Sequence, residues 1–204
     1  IMPILGFSLA SLFNFPLEIA AGIILIGSSP SGLASNVMAY LAKANIALSV
    51  TLTAVATLVA PIMTPFLMKT LAGSFVPIDF IAMMTSIFKI VIVPVLLGLV
   101  FNYFFHGKAK WLDKAMPIIS MAGIGFIIMI ITAAGRDDLL SIGLLLILAA
   151  IIHNLLGYVF GYWGCRIFGM SEQDCRTIAF EVGMQNGGLA TGIALEMGKI
   201  STVG

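Results

Sequence analysis

Residues 180–192 read FEVGMQNGGLATG, and the stretch contains a conflict. It is apolar enough for lipid, yet Glu181 sits inside it, followed closely by Gln185, Asn186, Gly187 and Gly188. The nearest upstream cation is Arg176, and none follows within eight residues. An ionised side chain at the centre of a membrane costs at least about 2.5–3.5 kcal/mol and marks a functional position by default. The plainer alternative is a protonated Glu hydrogen-bonded to a neighbouring helix. The company of two amides and two helix-weakening glycines favours function.

The rest of the chain justifies treating this stretch as membranous. Of its 204 residues, 60% are hydrophobic and only 9% charged. Mean hydropathy is +1.13. Soluble domains carry about a quarter charged residues, so the composition implies an integral membrane protein. A net charge of +1 carries no nucleic-acid signal, and Cys165 and Cys175 do not make a disulfide framework. The chain opens at Ile1, already apolar and without a basic n-region, and closes at Gly204 just past a polar turn. It is expected to be an internal piece of a longer protein, cut at both ends.

Taking about 20 apolar residues per crossing, the sequence predicts a partial helix over 1–13. Spans follow over 17–42, 46–72, 78–105, 115–133, 138–166 and 174–197. Short polar connectors lie at 41–45, 71–79, 105–114, 133–138 and 169–174, so 1–204 reads as a single membrane domain. Alternate connectors hold Lys43, then Lys108, Lys110 and Lys114, then Arg166 and Arg176. The opposite side holds Lys69, Arg136 and Lys199, so the positive-inside rule puts the first group in the cytoplasm, with Trp111 and Trp163 as anchors near it.

Two segments break the helical pattern: GSSPSGLASN (27–36), through Pro30, and EVGMQNGGLATG (181–192), through Gly187 and Gly188. Non-helical backbone at that depth is tolerated only inside protein or beside water. The segments share GLAS (32–35) against GLAT (188–191). By the loop charges they cross in opposite directions, as an inverted repeat requires. Paired broken helices in separate halves point to a transporter site.

The candidate donors are all hard oxygens. Glu181, the Gln185 amide and the carbonyls of Val182 and Met184 belong to the second break, and Ser35 and Asn36 follow the first. Ser49 and Thr53 stand at i and i+4 on one face of the next helix. Alone, that pair would read as helix packing with hydroxyls bonded back to the chain. With Glu181, Ser35 and Asn36 it reads as a site for a hard cation such as Na⁺. Lys89 lies within a span and is left open among snorkelling, pairing and anion attraction. His153 is expected to be a packed, hydrogen-bonded histidine. Asp137, Asp138, Glu172 and Asp174 are expected to be solvated loop residues. Gly157 and Gly161 have GxxxG spacing, a weak sign of close packing. No HExxH, Walker or GxSxG motif is present. Intramembrane catalysis by Ser29 or Ser31 with His153 has no support in the spacing.

At this point GSSPSGLASNVMAYLAKANIALSVTLTA (27–54) together with FEVGMQNGGLA (180–190) resembles the bile acid:sodium symporter family. The resemblance runs over essentially the whole chain. It implies an all-α polytopic membrane protein, part of a ten-helix inverted-repeat transporter with two broken crossing helices. A core (1–72 and 138–204 here) would move against a panel (78–133 here), and the piece would lack helices one, two and ten. One sodium site would use Ser35, Asn36, Ser49, Thr53 and Glu181. The other would use Glu181, the carbonyls of Val182 and Met184, and Gln185. Substrate is expected near Pro30, Asn36, Asn186 and Gly187.

The implied function is sodium-coupled symport of an organic anion (bile-acid-like, pantothenate or another small carboxylate) by alternating access, in a bacterial inner membrane. The expected partners are Na⁺, the anion and the lipid bilayer, with no nucleic acid and no obligate protein partner. The alternatives are proton coupling through Glu181, a passive channel, or an intramembrane enzyme.

Overall fold

In the computed structural model the structure describes residues 1–105 and 136–201, with isolated residues between 111 and 133. The expected span over 115–133, with the connector before it, lies largely outside the described residues. Among the described residues the chain is helical, and β-structure is confined to one isolated bridge. Three helical stretches are long and apolar enough to cross a membrane, at Ile46–Ala72, Phe80–Phe104 and Gly143–Ile167.

Helix α1 (Met2–Leu12) is followed by α2 (Leu17–Ser28) and α3 (Leu33–Leu41). The interruption between α2 and α3 is the predicted first break. Ser29 is extended, Pro30 offers no backbone donor, and Gly32 starts the new helix. Helix α4 (Ile46–Leu67) contains Pro61 and Pro65 and runs into a π-helical turn, Met68–Ala72. Helix α5 (Phe80–Ile87) continues through a π-turn that includes Lys89 (Phe88–Ile92) into α6 (Val93–Phe105). Helix α7 (Arg136–Ile167) begins within the connector expected at 133–138, so Asp137 and Asp138 lie in its first turn rather than in a loop.

The second break falls between α8 (Glu172–Gly183) and α9 (Gly187–Ser201). Met184 is extended, which ends the helix one turn past Phe180. The turn from α7 into α8 passes through Gly169 at φ +72°, a left-handed conformation that glycine adopts without steric cost.

Apolar packing forms two clusters among the described residues. The larger cluster joins Ile24 and Leu25 of α2, Ala60 and Met68 of the α4 span, Met83 and Ile87 of α5, and Leu189 and Ile193 of α9. A smaller one joins Ala10, Phe15, Ala20, Ile23 and Ala149. Many large apolar side chains face outward, Leu58, Ile62, Leu97 and Leu144 among them, as lipid-facing surfaces require. Helices α7 and α8 pack closely because the expected GxxxG face is real. A Cβ on Gly157 would meet the Gly183 Cα at 2.8 Å, and one on Gly161 would meet the Ile178 carbonyl at 2.8 Å.

Candidate functional site

The two breaks meet. The Asn186 N–H donates to the Pro30 carbonyl at 2.7 Å, and Ser31 pairs with Gln185 in the isolated antiparallel bridge. Backbone groups freed at the two breaks thus satisfy one another across the crossing. Helices α3 and α8 lie side by side in opposite directions, with Ser35 reaching Glu181 and the Ala42 carbonyl accepting from Arg176.

Glu181, two residues before the end of α8, is gripped by four hydroxyls. Ser35 and Ser49 approach its Oε1 at 2.7 and 2.6 Å, and Ser31 and Thr53 approach its Oε2 at 2.6 and 2.9 Å. Ser35 and Ser49 are fully buried, and Ser31 and Thr53 nearly so. Ser35 comes from the first turn of α3, Ser49 and Thr53 from successive turns of α4, and Ser31 from the break itself. The Asn36 Oδ1 faces the Ser49 and Thr53 hydroxyls at 2.7 and 3.3 Å.

The cluster holds more oxygen contacts than protons. Each hydroxyl carries one proton. Yet Ser35 also lies 2.7 Å from the Gly32 carbonyl, Ser49 also touches Asn36, and Ser31 and Thr53 touch each other at 3.4 Å. Among the described residues Glu181 has no basic partner, since Arg176 is bonded to Glu172 and to the Ala42 carbonyl. An oxygen-rich nest of a half-buried carboxylate and buried hydroxyls fits a hard cation. Among the described residues no group of His, Cys, Asp and Glu suits a soft metal.

The second expected set is assembled differently. The Gln185 Nε2 donates to the Val182 carbonyl at 2.5 Å, so its NH₂ rather than its oxygen faces that carbonyl. Asn154 of α7 donates to the Gly183 carbonyl at 2.7 Å. Glu181, Val182 and Gln185 line a cavity of about 320 Å³ together with Ser28, Ser29, Pro30 and Thr64, and Met184 is not on its wall. Thr64 donates to the Ser28 carbonyl at 2.8 Å, while the buried Ser28 Oγ has no partner among the described residues. Of the expected substrate residues, Pro30 lines the cavity and Asn36 turns into the hydroxyl cluster. The Asn186 side chain caps α9 through the Leu189 N–H at 3.0 Å, and Gly187 borders open space.

Ser31 is the residue touching the Glu181 carboxylate that sequence reasoning missed. The sequence raises it only as a nucleophile beside His153, because it lies in the break, where no helical spacing fixes its direction. His153 is the packed histidine expected, with Nε2 3.0 Å from the Met2 carbonyl. Glu172 and Asp174 are not merely solvated, which corrects the expectation. Glu172 accepts from the Tyr162 hydroxyl at 2.7 Å and from Arg176 at 3.1 Å, and Asp174 accepts from Asn45 and Ser171, both at 2.8 Å.

A family model described as Sodium Bile acid symporter family matches residues 1–142. The chain belongs to this family. Three relatives illustrate the family's breadth. The uncharacterized sodium-dependent transporter YocS of Bacillus subtilis is 40% identical over 95% of this chain and 60% of its own length. The probable chloroplastic sodium/metabolite cotransporter BASS1 of Arabidopsis thaliana is 36% identical over 96% of this chain and 49% of its own. The human ileal sodium/bile acid cotransporter is 35% identical over 91% of this chain and 54% of its own. The chain therefore spans about half to three fifths of the length of these family members. They are named transporters and cotransporters, not enzymes, with sodium as the coupling ion.

Proposed function

We propose that this chain is the ion-binding part of a sodium-coupled symporter for a small organic anion, working by alternating access in a bacterial cell membrane. The observation that carries the reading is the Glu181 nest: one half-buried carboxylate, four buried hydroxyls and an amide oxygen, short of protons and without a basic partner among the described residues. Turning the hydroxyl lone pairs inward would let Ser35, Asn36, Ser49, Thr53 and Glu181 hold one Na⁺, with Ser31 as a further donor. Rotation of the Gln185 amide would turn its oxygen toward the carbonyls of Val182 and Met184 and Glu181, offering a second Na⁺ an oxygen shell. The crossing itself, near Pro30, Asn186 and Gly187, presents helix ends where an anion finds backbone donors.

In this reading 1–72 and 138–204 form the moving core and 78–133 belongs to the panel, within a ten-helix inverted repeat. The connectors rich in Lys and Arg would face the cytoplasm. Cation binding would draw α3, α4 and α8 together around Glu181 and so set the crossing that receives the anion.

The test is uptake of radiolabelled small carboxylates into proteoliposomes of the full-length protein, with sodium or choline outside. Sodium-dependent uptake abolished by Glu181→Ala is expected. Equal uptake in choline refutes the reading, and a pH-driven uptake that persists without sodium transfers the coupling to protons.

A further inference from the structure

The Glu181 nest is not held by the apolar core. Among the described residues neither apolar cluster contains a residue of α3, of α8, or of α4 before Ala60. Apolar burial there, among the described residues, is limited to small residues, Ala39 of α3 and Cys175 and Ala179 of α8, and to the glycine packing of α7 on α8. Helices α4 and α8 are joined by hydrogen bonds, and a second set of these lies one helical turn from the carboxylate. Along α8, Thr177 precedes Glu181 by four residues, and Asn45 precedes Ser49 by the same step at the start of α4. Each pair shares a face.

Thr177 is fully buried. Its Oγ1 accepts the Asn45 N–H at 2.9 Å and lies 3.1 Å from the Asn45 carbonyl and 3.0 Å from the Gln173 carbonyl. Asn45 uses every polar group it has. Its Oδ1 caps α4 through the Leu48 N–H at 3.1 Å, and its Nδ2 donates to the Asp174 carboxylate at 2.8 Å. The turn before it is tight, with Lys43 at φ +53° and the Ala44 N–H closing on the Ala39 carbonyl at 2.9 Å. The first turn of α4 is thereby bolted to α8 through one residue.

We infer that Thr177 and Asn45 are positioning residues for the Glu181 cation site: their contact sets the register of α4 against α8, and with it the reach of Ser49 and Thr53 to the carboxylate. Ligand shells need their donors held within about 0.5 Å. Ser49 and Thr53 stand one and two turns along from this bolt, with no apolar cluster among the described residues to hold that end of α4. Neither Thr177 nor Asn45 touches Glu181, so each acts through the helices that carry the donors. The inference rests on the sodium reading above.

The experiment measures sodium-dependent thermal stabilisation of the purified full-length protein, titrating NaCl against choline chloride at constant ionic strength. Thr177→Val keeps the shape of the side chain and removes the hydroxyl. It is expected to raise the sodium concentration for half-maximal stabilisation at least fivefold, and Thr177→Ser, which keeps the hydroxyl, to stay within twofold of wild type. A purely structural role lowers the melting temperature in choline and leaves the sodium midpoint in place, and that result overturns the inference.

If Thr177→Val does not fold, Asp174→Ala removes the outer bond to Asn45, with Ser171→Ala as the control for loss of the α8 cap. A midpoint raised at least twofold in the first and not in the second supports the inference, and equal midpoints overturn it. If the wild-type protein shows no stabilisation by sodium, the proposed function fails instead.

Discussion

Replacing Glu181 by Gln separates charge from hydrogen bonding at the nest, and the geometry says how the network would respond. On the Oε1 side, Ser35 and Ser49 have other acceptors waiting, the Gly32 carbonyl and the Asn36 Oδ1, both at 2.7 Å. The introduced amide can therefore place its NH₂ on that side and donate to both hydroxyls, which redirect their protons. Its oxygen stays with Ser31 and Thr53. No buried polar group is orphaned, and all four hydroxyls keep a partner. In choline, Glu181→Gln is expected to be at least as stable as wild type.

Sodium is a different matter. Two unit charges about 4 Å apart at an effective dielectric near 20 attract by about 4 kcal/mol, which is roughly a thousandfold in affinity. At sodium about 100-fold above the wild-type dissociation constant, wild type gains about 2.7 kcal/mol. The variant, then well below its own dissociation constant, gains less than about 0.1 kcal/mol by the same relation. The assay is a melting curve of the full-length protein in detergent, in sodium and in choline. A variant that melts well below wild type in choline refutes the network argument. One that keeps its sodium midpoint within threefold of wild type refutes the charge argument.

Ser31→Ala removes a donor to the Oε2 of Glu181 and leaves Thr53 alone on that oxygen. In the proposed shell it also removes an oxygen that turns to sodium, so a sodium midpoint raised severalfold is expected in the same titration, and an unchanged or lowered midpoint removes Ser31 from the site. Gly161→Ala drives a methyl into the Ile178 carbonyl at 2.8 Å and the Ala179 Cα at 2.9 Å. Overpacking of this kind costs about 1–3 kcal/mol. A lower melting temperature in sodium and choline alike should follow, and a sodium midpoint that moved with it would mean α7 does more than support α8.

The residue sequence alone determined the membrane class, three of the spans, both breaks, and Glu181, Ser35, Asn36, Ser49 and Thr53 as one set. Each of these rests on a local property. Hydropathy is summed along a window, Pro30 removes its own donor, Gly187 and Gly188 weaken their own helix, and Ser49 and Thr53 share a face through the helical period. Tertiary structure decided the rest. That Ser31 turns to the carboxylate depends on how the chain leaves the helix at Pro30, where no periodicity fixes side-chain direction. The bond from Asn45 to Thr177 joins residues separated by 132 positions, at the start of α4 and in the middle of α8, whose register no sequence pattern encodes. Glu172 and Asp174, read as solvated charges, prove to be bonded partners because α7 and α4 bring Tyr162 and Asn45 to them. Local chemistry announces which groups are too polar for lipid, and only the packing of helices decides which of them meet.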